Sequence, residues 1–399
     1  MFCARLVSLF GVLACALSTA HGAPASLGIF EQESDVGNVL HPGSAEYDPG
    51  TNTYVVTGSG ENMWFATDEF HFVWKTVSAE DITLTAELTM LGSGGDGHRK
   101  GVLMIRQSLD QDSAYVDVAR HGDGLTSLQF REQKGAATRE VESAVSGPSR
   151  LRLEKQGNRF YVWVAGQNEE LHFAGGSAKV EIHAPFYVGI GVCAHNKDAV
   201  QKVAFKNVEV MTNVSHLKAN YSTVETVLQS GDARVGYVSS DHLTAPGWSV
   251  DGQALTFEID GKPQQTPFTP LKTAAPVGHA IAAQPQDQYT YFASNQGGGT
   301  TQIWRKLGEA GQPEQITSDE FNNLSPHLSP DGKFLVFLSY PKTFNSVAEA
   351  QDVELRIMSI ADRHVKTLAP FVGGQGSLGT QPWSPDGRRV VFISYQSMQ

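Results

Sequence analysis

Leu328-Ser329-Pro330-Asp331-Gly332-Lys333-Phe334-Leu335-Val336-Phe337 decides how the second half of this chain folds. It aligns without gaps with Trp248-Ser249-Val250-Asp251-Gly252-Gln253-Ala254-Leu255-Thr256-Phe257. Trp383-Ser384-Pro385-Asp386-Gly387-Arg388-Arg389-Val390-Val391-Phe392 is a further copy. A degraded one, Ala283 to Ser294, keeps Pro285, the aromatic pattern and a final serine like Ser339 and Ser394. The corner positions 251, 286, 331 and 386 are spaced by 35, 45 and 55 residues. Periods of that length, each holding several strand patterns, mark the blades of a β-propeller. Proline fixes φ near −65°, the Asp carboxylate accepts from nearby amides, and glycine takes positive φ. Asp251, Gly252, Asp331, Gly332, Asp386 and Gly387 therefore read as structural turn residues.

The same spacing predicts how the blades lock. After Trp383 the chain has room for only two strands of its last blade. Thr223 to Leu228 and Arg234 to Ser239, both before the first copy, are placed to supply the outer strands and remove an open edge. Asp319, Glu320, Asn322, Asn323 and His327 come just before an inner strand, which predicts a polar cluster near one mouth of the central channel. These five are candidate ligand-binding residues. His327 lacks the spaced partners of a metal ligand, so no metal site is assigned.

From about Val224 to Gln399 the chain resembles the TolB-like family of Pro-Asp-Gly propellers. The match is carried by Gln302-Ile303-Trp304-Arg305, Thr317 to Asn323, Pro326 to Gly332, Asp352 to Arg356 and Gly373 to Gly376. The resemblance implies a platform for a protein or peptide partner. Such relatives usually have six blades, whereas only four copies are legible here, with a short connection from Gly261 to Pro276. Two expectations follow: a ring closed with four blades, or an incomplete propeller that needs a partner. The different N-terminal half means that the cell-envelope role of TolB does not carry over. No Gly-x-Ser-x-Gly elbow is present to seat a nucleophilic serine, which argues against a peptidase.

The first half reads as a β-sandwich. Phe70 to Lys75, Ile82 to Leu88, Gly101 to Ile105, Ala114 to Ala119 and Leu125 to Arg131 are short apolar runs or alternations separated by turn residues. Leu151 to Lys155, Phe160 to Val164, Phe186 to Val192 and Val203 to Val210 continue the series. A period of two with one polar face is what half-buried antiparallel strands need. With Trp74-Lys75, Gly189 to Asn196 and the closing run Val203 to Val210, the stretch from about Ile29 to Val210 resembles a concanavalin-like jelly-roll domain of bacterial exported proteins. Some of that superfamily cleave glycans, so paired acids matter. Asp110 and Asp112 have the two-residue spacing that retaining catalysis wants, but they read as a turn, and no Glu-x-Asp-x-x-Glu pattern occurs. Gly92 to His98 lacks the Lys-Ser/Thr of a phosphate-binding loop, and His121-Gly122-Asp123-Gly124 reads as a hairpin turn. Trp64 and Trp74 are the aromatic candidates for stacking on a sugar ring.

The chain has 399 residues and a formal net charge of −12. That length suggests two domains. The acidity gives no electrostatic reason to bind nucleic acid or an anionic membrane. Arg5, the apolar run Leu6 to Leu17 and Ala20-His21-Gly22 predict a signal peptide cut before Ala23. Cys15 in Val12-Leu13-Ala14-Cys15 is a minor alternative, as a lipoprotein acylation site. Past the leader only Cys193 remains, so no intrachain disulfide forms, and Cys193 reads as a buried hydrophobe. No later segment is apolar enough for a transmembrane anchor.

Together these readings predict an all-β protein: a signal peptide over 1–22, a concanavalin-like β-sandwich over 23–212 and a TolB-like β-propeller over 213–399. The propeller is expected to have about four blades and is open to being incomplete. The expected role is an exported, non-catalytic binding scaffold without a cofactor. Its sandwich would recognise a glycan or envelope component and its propeller a protein or peptide. A carbohydrate-active sandwich and a degenerate structural propeller are the alternatives.

Overall fold

The computed structural model describes residues 26–212, 214, 219–268, 289–344, 346 and 350–398. The expected signal peptide, Cys15 and the corner at position 286 lie outside these residues. All regular structure among the described residues is β.

Fourteen strands build the first half. They are β1 (Gln32–Val36), β2 (Ser44–Asp48), β3 (Thr53–Gly58), β4 (Phe70–Val77), β5 (Ile82–Leu91), β6 (Lys100–Arg106) and β7 (Tyr115–His121). Then come β8 (Thr126–Arg131), β9 (Arg139–Glu142), β10 (Arg150–Gln156), β11 (Arg159–Ala165), β12 (His172–Lys179), β13 (Phe186–Cys193) and β14 (Gln201–Thr212). One sheet runs β1-β4-β13-β6-β7-β8-β9 and the other β12-β11-β10-β5-β14-β3-β2. Leu84, Leu103, Val118, Leu153, Phe160, Ile190 and Phe205 fill the space between them. Each such side chain contributes about 1.5–3 kcal/mol on burial. The first sheet is also covered on its other face. There Phe70, Phe72, Met104, Tyr115 and Cys193 form a second cluster with Met63 of the segment 59–69. Burial pushes the Cys193 thiol up to about 11, as suits an inert core residue.

The second half forms four propeller units. Their strands are β15 (Ala219–Leu228), β16 (Ala233–Ser239), β17 (Leu243–Trp248), β18 (Ala254–Ile259), β19 (Lys262–Pro267), β20 (Tyr289–Ser294) and β21 (Gln302–Leu307). The remainder are β22 (Glu314–Gln315), β23 (Asn322–Leu328), β24 (Phe334–Tyr340), β25 (Gln351–Ser359), β26 (Val365–Gly373) and β27 (Arg389–Met398). The first unit is β17-β18-β19, the second β20-β21-β22 and the third β23-β24-β25-β26. The closing unit joins both ends of the propeller region, because β27 pairs antiparallel with β15 from Ala219↔Met398 to Leu228↔Arg389. The two segments expected to lock the last blade, Thr223 to Leu228 and Arg234 to Ser239, lie in these outer strands.

Apolar packing joins the closing unit to the first through Val224, Leu243, Leu255 and Ile393, and the second to the third through Ile303, Leu335 and Phe337. Phe371 of the third packs on Phe392 of the closing unit, ring centroids 4.7 Å apart. Among the described residues no apolar cluster joins β17–β19 to β20–β22.

The two halves share one sheet. Strand β9 pairs in parallel with β16, Ala233 opposite Val141 and Arg234 opposite Glu142, which adds the closing unit to the edge of the sandwich. Strand β12 lies over the same junction. A Cβ on Gly175 would come within 2.7 Å of Val235 Cγ1 and Val238 Cγ2, and one on Gly176 within 2.6 Å of Val141 Cγ1. Both glycines also have positive φ, 83° and 71°. Only glycine meets both demands. Arg234 to Glu142 (2.6 Å) and Lys179 to Asp352 (2.7 Å) tie the halves electrostatically, with Arg159 also on Asp352.

Candidate functional site

The repeated corner has one geometry in its three described copies. Ser249 Oγ donates to Asp251 Oδ1 at 2.6 Å, the same oxygen accepts from the Gln253 amide at 3.0 Å, and the Ala254 amide donates to Ser249 Oγ at 2.9 Å. Ser329 with Asp331 (2.7 Å) and Ser384 with Asp386 (2.6 Å) repeat it. Gly252, Gly332 and Gly387 have φ of 69°, 72° and 69°, the left-handed region that glycine enters without penalty. The three carboxylates are thus occupied in holding their own turns.

Neighbouring units are pinned by indoles. Trp383 Nε1 donates to the carbonyl of His327 at 3.0 Å, and Trp248 Nε1 to the carbonyl of Pro382, also at 3.0 Å. Each acceptor immediately precedes the Trp or Leu that leads its own copy of the repeat.

Around these contacts lies a cavity of about 1440 Å³. The turn 240–242 with strand β17, the loop 374–381, Ser325 to His327 and the paired ends of β15 and β27 line it. It contains aromatic surfaces at Tyr221, His242, Trp248 and Tyr395 and hydroxyls or amides at Asn220, Thr256, Ser325, Thr380 and Gln381. Among the described residues no Lys or Arg lines it, and Asp241 is the one carboxylate. His242 lies flat on Tyr395, ring centroids 4.9 Å apart and 18° between planes. Burial pushes His327 below its ordinary value, with a backbone contact from Thr380 acting the other way.

Of the five polar residues expected at the channel mouth, only His327 lines this cavity. Asn323 is fully buried and donates to Gln302 Oε1 (3.0 Å) and Asp319 Oδ1 (3.1 Å), while accepting from Ser339 Oγ (2.6 Å). Asp319 is paired with Arg356 at 2.8 Å, and Asn322 accepts from the Thr301 amide at 2.9 Å. These bonds hold the second unit to the third, and a proximity argument from sequence cannot separate them from a channel lining. Glu320 is exposed.

Trp74 is buried, edge-on to Tyr187 at 4.9 Å. Trp64 is half-buried on the segment that covers the sandwich, where Arg131 Nη2 donates to the carbonyls of Trp64 and Phe65, both at 3.1 Å. Phe65 is 70 % exposed at φ 34°.

Asp110 and Asp112 sit in a turn and share Lys134, at 2.6 and 3.5 Å. The Lys134 ammonium holds Asp110 below the usual carboxylate range, the opposite of what a proton-donating acid needs. Burial raises five acids without a turn or repeat signal, Asp68, Asp117, Glu140, Glu142 and Glu225. Asp117 is fully buried, with neither oxygen hydrogen-bonded, and desolvation drives it well above its ordinary value. Burial raises Glu140 and Glu225 to about 7 each. Strand alternation placed Asp117 on the polar face of β7, but only the covering segment buries that face. His98, His121 and His195 gather at one end of the sandwich, with ring separations of 5.7 and 5.4 Å from His98. Among the described residues no group of three or more His, Cys, Asp or Glu is arranged to hold a metal ion.

No family model matches the chain. It is similar to an uncharacterized protein of Agrobacterium fabrum, 29 % identical over 162 residues. That match takes in 37 % of this chain and 54 % of the relative, so the chain spans about half the length of the curated relative it matches. A carbohydrate-binding module of Bacillus subtilis is 17 % identical and covers 47 % of this chain and 100 % of its own, with a TM-score of 0.32. A protein from Agrobacterium tumefaciens assigned as TolB is 16 % identical and covers 75 % and 99 %, with a TM-score of 0.27. Among the described residues no helix is long and apolar enough to cross a membrane.

Proposed function

We propose that this chain is an exported, non-catalytic recognition protein whose principal ligand site is the propeller cavity. Its signal peptide would occupy 1–22, its sandwich 23–212 and its propeller 213–399. The propeller serves as the platform for a protein or peptide partner, and the sandwich contributes recognition of a glycan or envelope component. The observation that carries this reading is the cavity itself. It is pre-formed, lies where several units converge, and is built on strands that indole hydrogen bonds hold in place. The carboxylates nearest to regular sequence motifs, by contrast, are spent on turns and ion pairs.

Site-specific photo-crosslinking in the producing cell tests it. A benzoylphenylalanine at Thr256, in the cavity wall, is expected to capture a ligand or partner, while one at Gln264 on β19 is not. Equal capture at both positions, or none at Thr256, removes the cavity as the recognition site. N-terminal sequencing of the exported protein should begin at Ala23.

A further inference from the structure

The lining of the cavity selects among ligand classes. Among the described residues of the wall an anionic ligand would find no lysine or arginine, and the net charge of −12 repels it from a distance. An apolar anchor from a protein partner needs an apolar socket, but among the described residues Leu378 is the only large aliphatic side chain in the wall. What the wall does offer is neutral hydrogen-bonding capacity. The side chains of Asn220, Thr256, Ser325, Thr380, Gln381 and Ser397 line it, and no hydrogen bond within the described residues engages them.

Flat aromatic surfaces are interleaved with these groups. Trp248 cannot turn freely, because its Nε1 is tied to Pro382 and its ring packs edge-on against Phe268 at 4.8 Å. His242 is exposed and backed by Tyr395. A fixed ring presents its face at little entropic cost on binding. Hydroxyls and amides beside rigid rings suit a molecule with hydroxyls around its rim and C–H bonds on its faces. The volume, about 1440 Å³, exceeds the ~300–1,000 Å³ of pockets that enclose one small molecule.

We infer that the propeller cavity binds a neutral oligosaccharide. This rests on the reading of the cavity as the ligand site, and it moves glycan recognition from the sandwich to the propeller. Protein contact is then left to the outer faces of the units.

The test is calorimetry on the whole protein with defined probes: cellotetraose, maltotetraose, laminaritetraose, chitotetraose, the anionic trigalacturonate and an uncharged hexapeptide. At least one neutral tetrasaccharide should bind. Its affinity should fall at least tenfold in Thr380→Arg, which alters an exposed lining residue whose side chain has no hydrogen bond to lose among the described residues, and in His242→Ala. Circular dichroism matching the parent protein confirms that both variants are folded. Neutral-sugar binding unchanged in both variants overturns the location. Binding of trigalacturonate or the peptide, sensitive to Thr380→Arg and without any neutral sugar, overturns the class while leaving the cavity as a site. If no probe binds although Thr256 crosslinks, the saccharide inference falls alone; if crosslinking fails too, the cavity reading falls with it.

Discussion

The indole nitrogen of Trp383 donates to the main-chain oxygen of His327 across the boundary between two propeller units, at 3.0 Å. Trp248 repeats the relationship one unit further on, with Pro382 as acceptor. Trp383 is buried and Trp248 only half-buried. Trp383→Phe leaves a half-buried carbonyl without its donor and a void where the larger ring was, an expected loss of about 2–4 kcal/mol. Trp248→Phe should cost less, because water reaches that site. Urea midpoints followed by near-UV circular dichroism will rank the two.

At the repeated corner, Asp386→Ala removes the acceptor for Ser384 Oγ and for the Arg388 amide. The expected cost is about 1–2 kcal/mol. Gly387→Ala should cost a similar amount for a different reason. A Cβ there meets only Pro330 Cδ at an ordinary 3.6 Å, so the penalty is the positive φ of 69°. Thermal unfolding of the two single variants checks both figures, and Gly387→Asn should recover part of the glycine loss.

Glu140 and Glu225 line one small void at the junction of the two halves, and burial raises both to about 7 from an ordinary 4.5. Between those values the unfolded chain has lost protons that the folded protein still holds. The contribution of these two carboxyls to stability should therefore decline as pH rises from about 4.5 to about 7 and level off above. Glu225→Gln, which keeps the shape, should flatten part of this decline and raise the melting temperature at pH 8 relative to the parent. Calorimetric scans from pH 4.5 to 8 supply the measurement. A profile of unchanged slope would mean that Glu225 does not titrate as described.

Gly175→Val forces two valines of β16 away and places a β-branched residue at a φ of 83°. The junction between sandwich and closing unit should open. Amide hydrogen exchange is expected to accelerate in β12, β15 and β16, with β18 and β24 little changed.

Arg131 and Asp68 are both fully buried, with Arg131 Nη2 to Asp68 Oδ1 at 2.7 Å. Arg131→Met leaves Asp68 with the longer contact to Arg106, at 3.5 Å, and frees the carbonyls of Trp64 and Phe65. The expected loss is about 3–5 kcal/mol. Proteolysis within the segment 59–69 should appear before any cleavage elsewhere, since that segment loses its anchor.

Much of the architecture was legible because it is written in local patterns. Phe70 to Lys75 and Ile82 to Leu88 show the alternation of strands, and Ser384 to Gly387 spells out a turn whose bonds lie within a few residues. Strand β12 was not legible, since Gly175 and Gly176 break any apolar pattern. They are there because β16 and Val141 press on them from elsewhere in the chain. The candidate site was legible only at His327. Many residues around the cavity are common serines, threonines and glutamines at strand ends and in loops, and even Trp248 and Thr256, which belong to a repeat copy, carry no sequence sign that they face a shared space.

The chain's own order of residues determined the all-β class, the corner of the three described repeats and the two segments reserved for the closing unit, because turn chemistry and alternation act over a few neighbouring positions. Tertiary structure alone decided that β9 continues into β16, that Asn323 binds units together while His327 faces the cavity, and that Asp117 is buried. The physical reason is that burial and convergence depend on which distant strands arrive alongside. An acid on a polar strand face meets water or a covering segment according to a contact that its sequence neighbours do not encode.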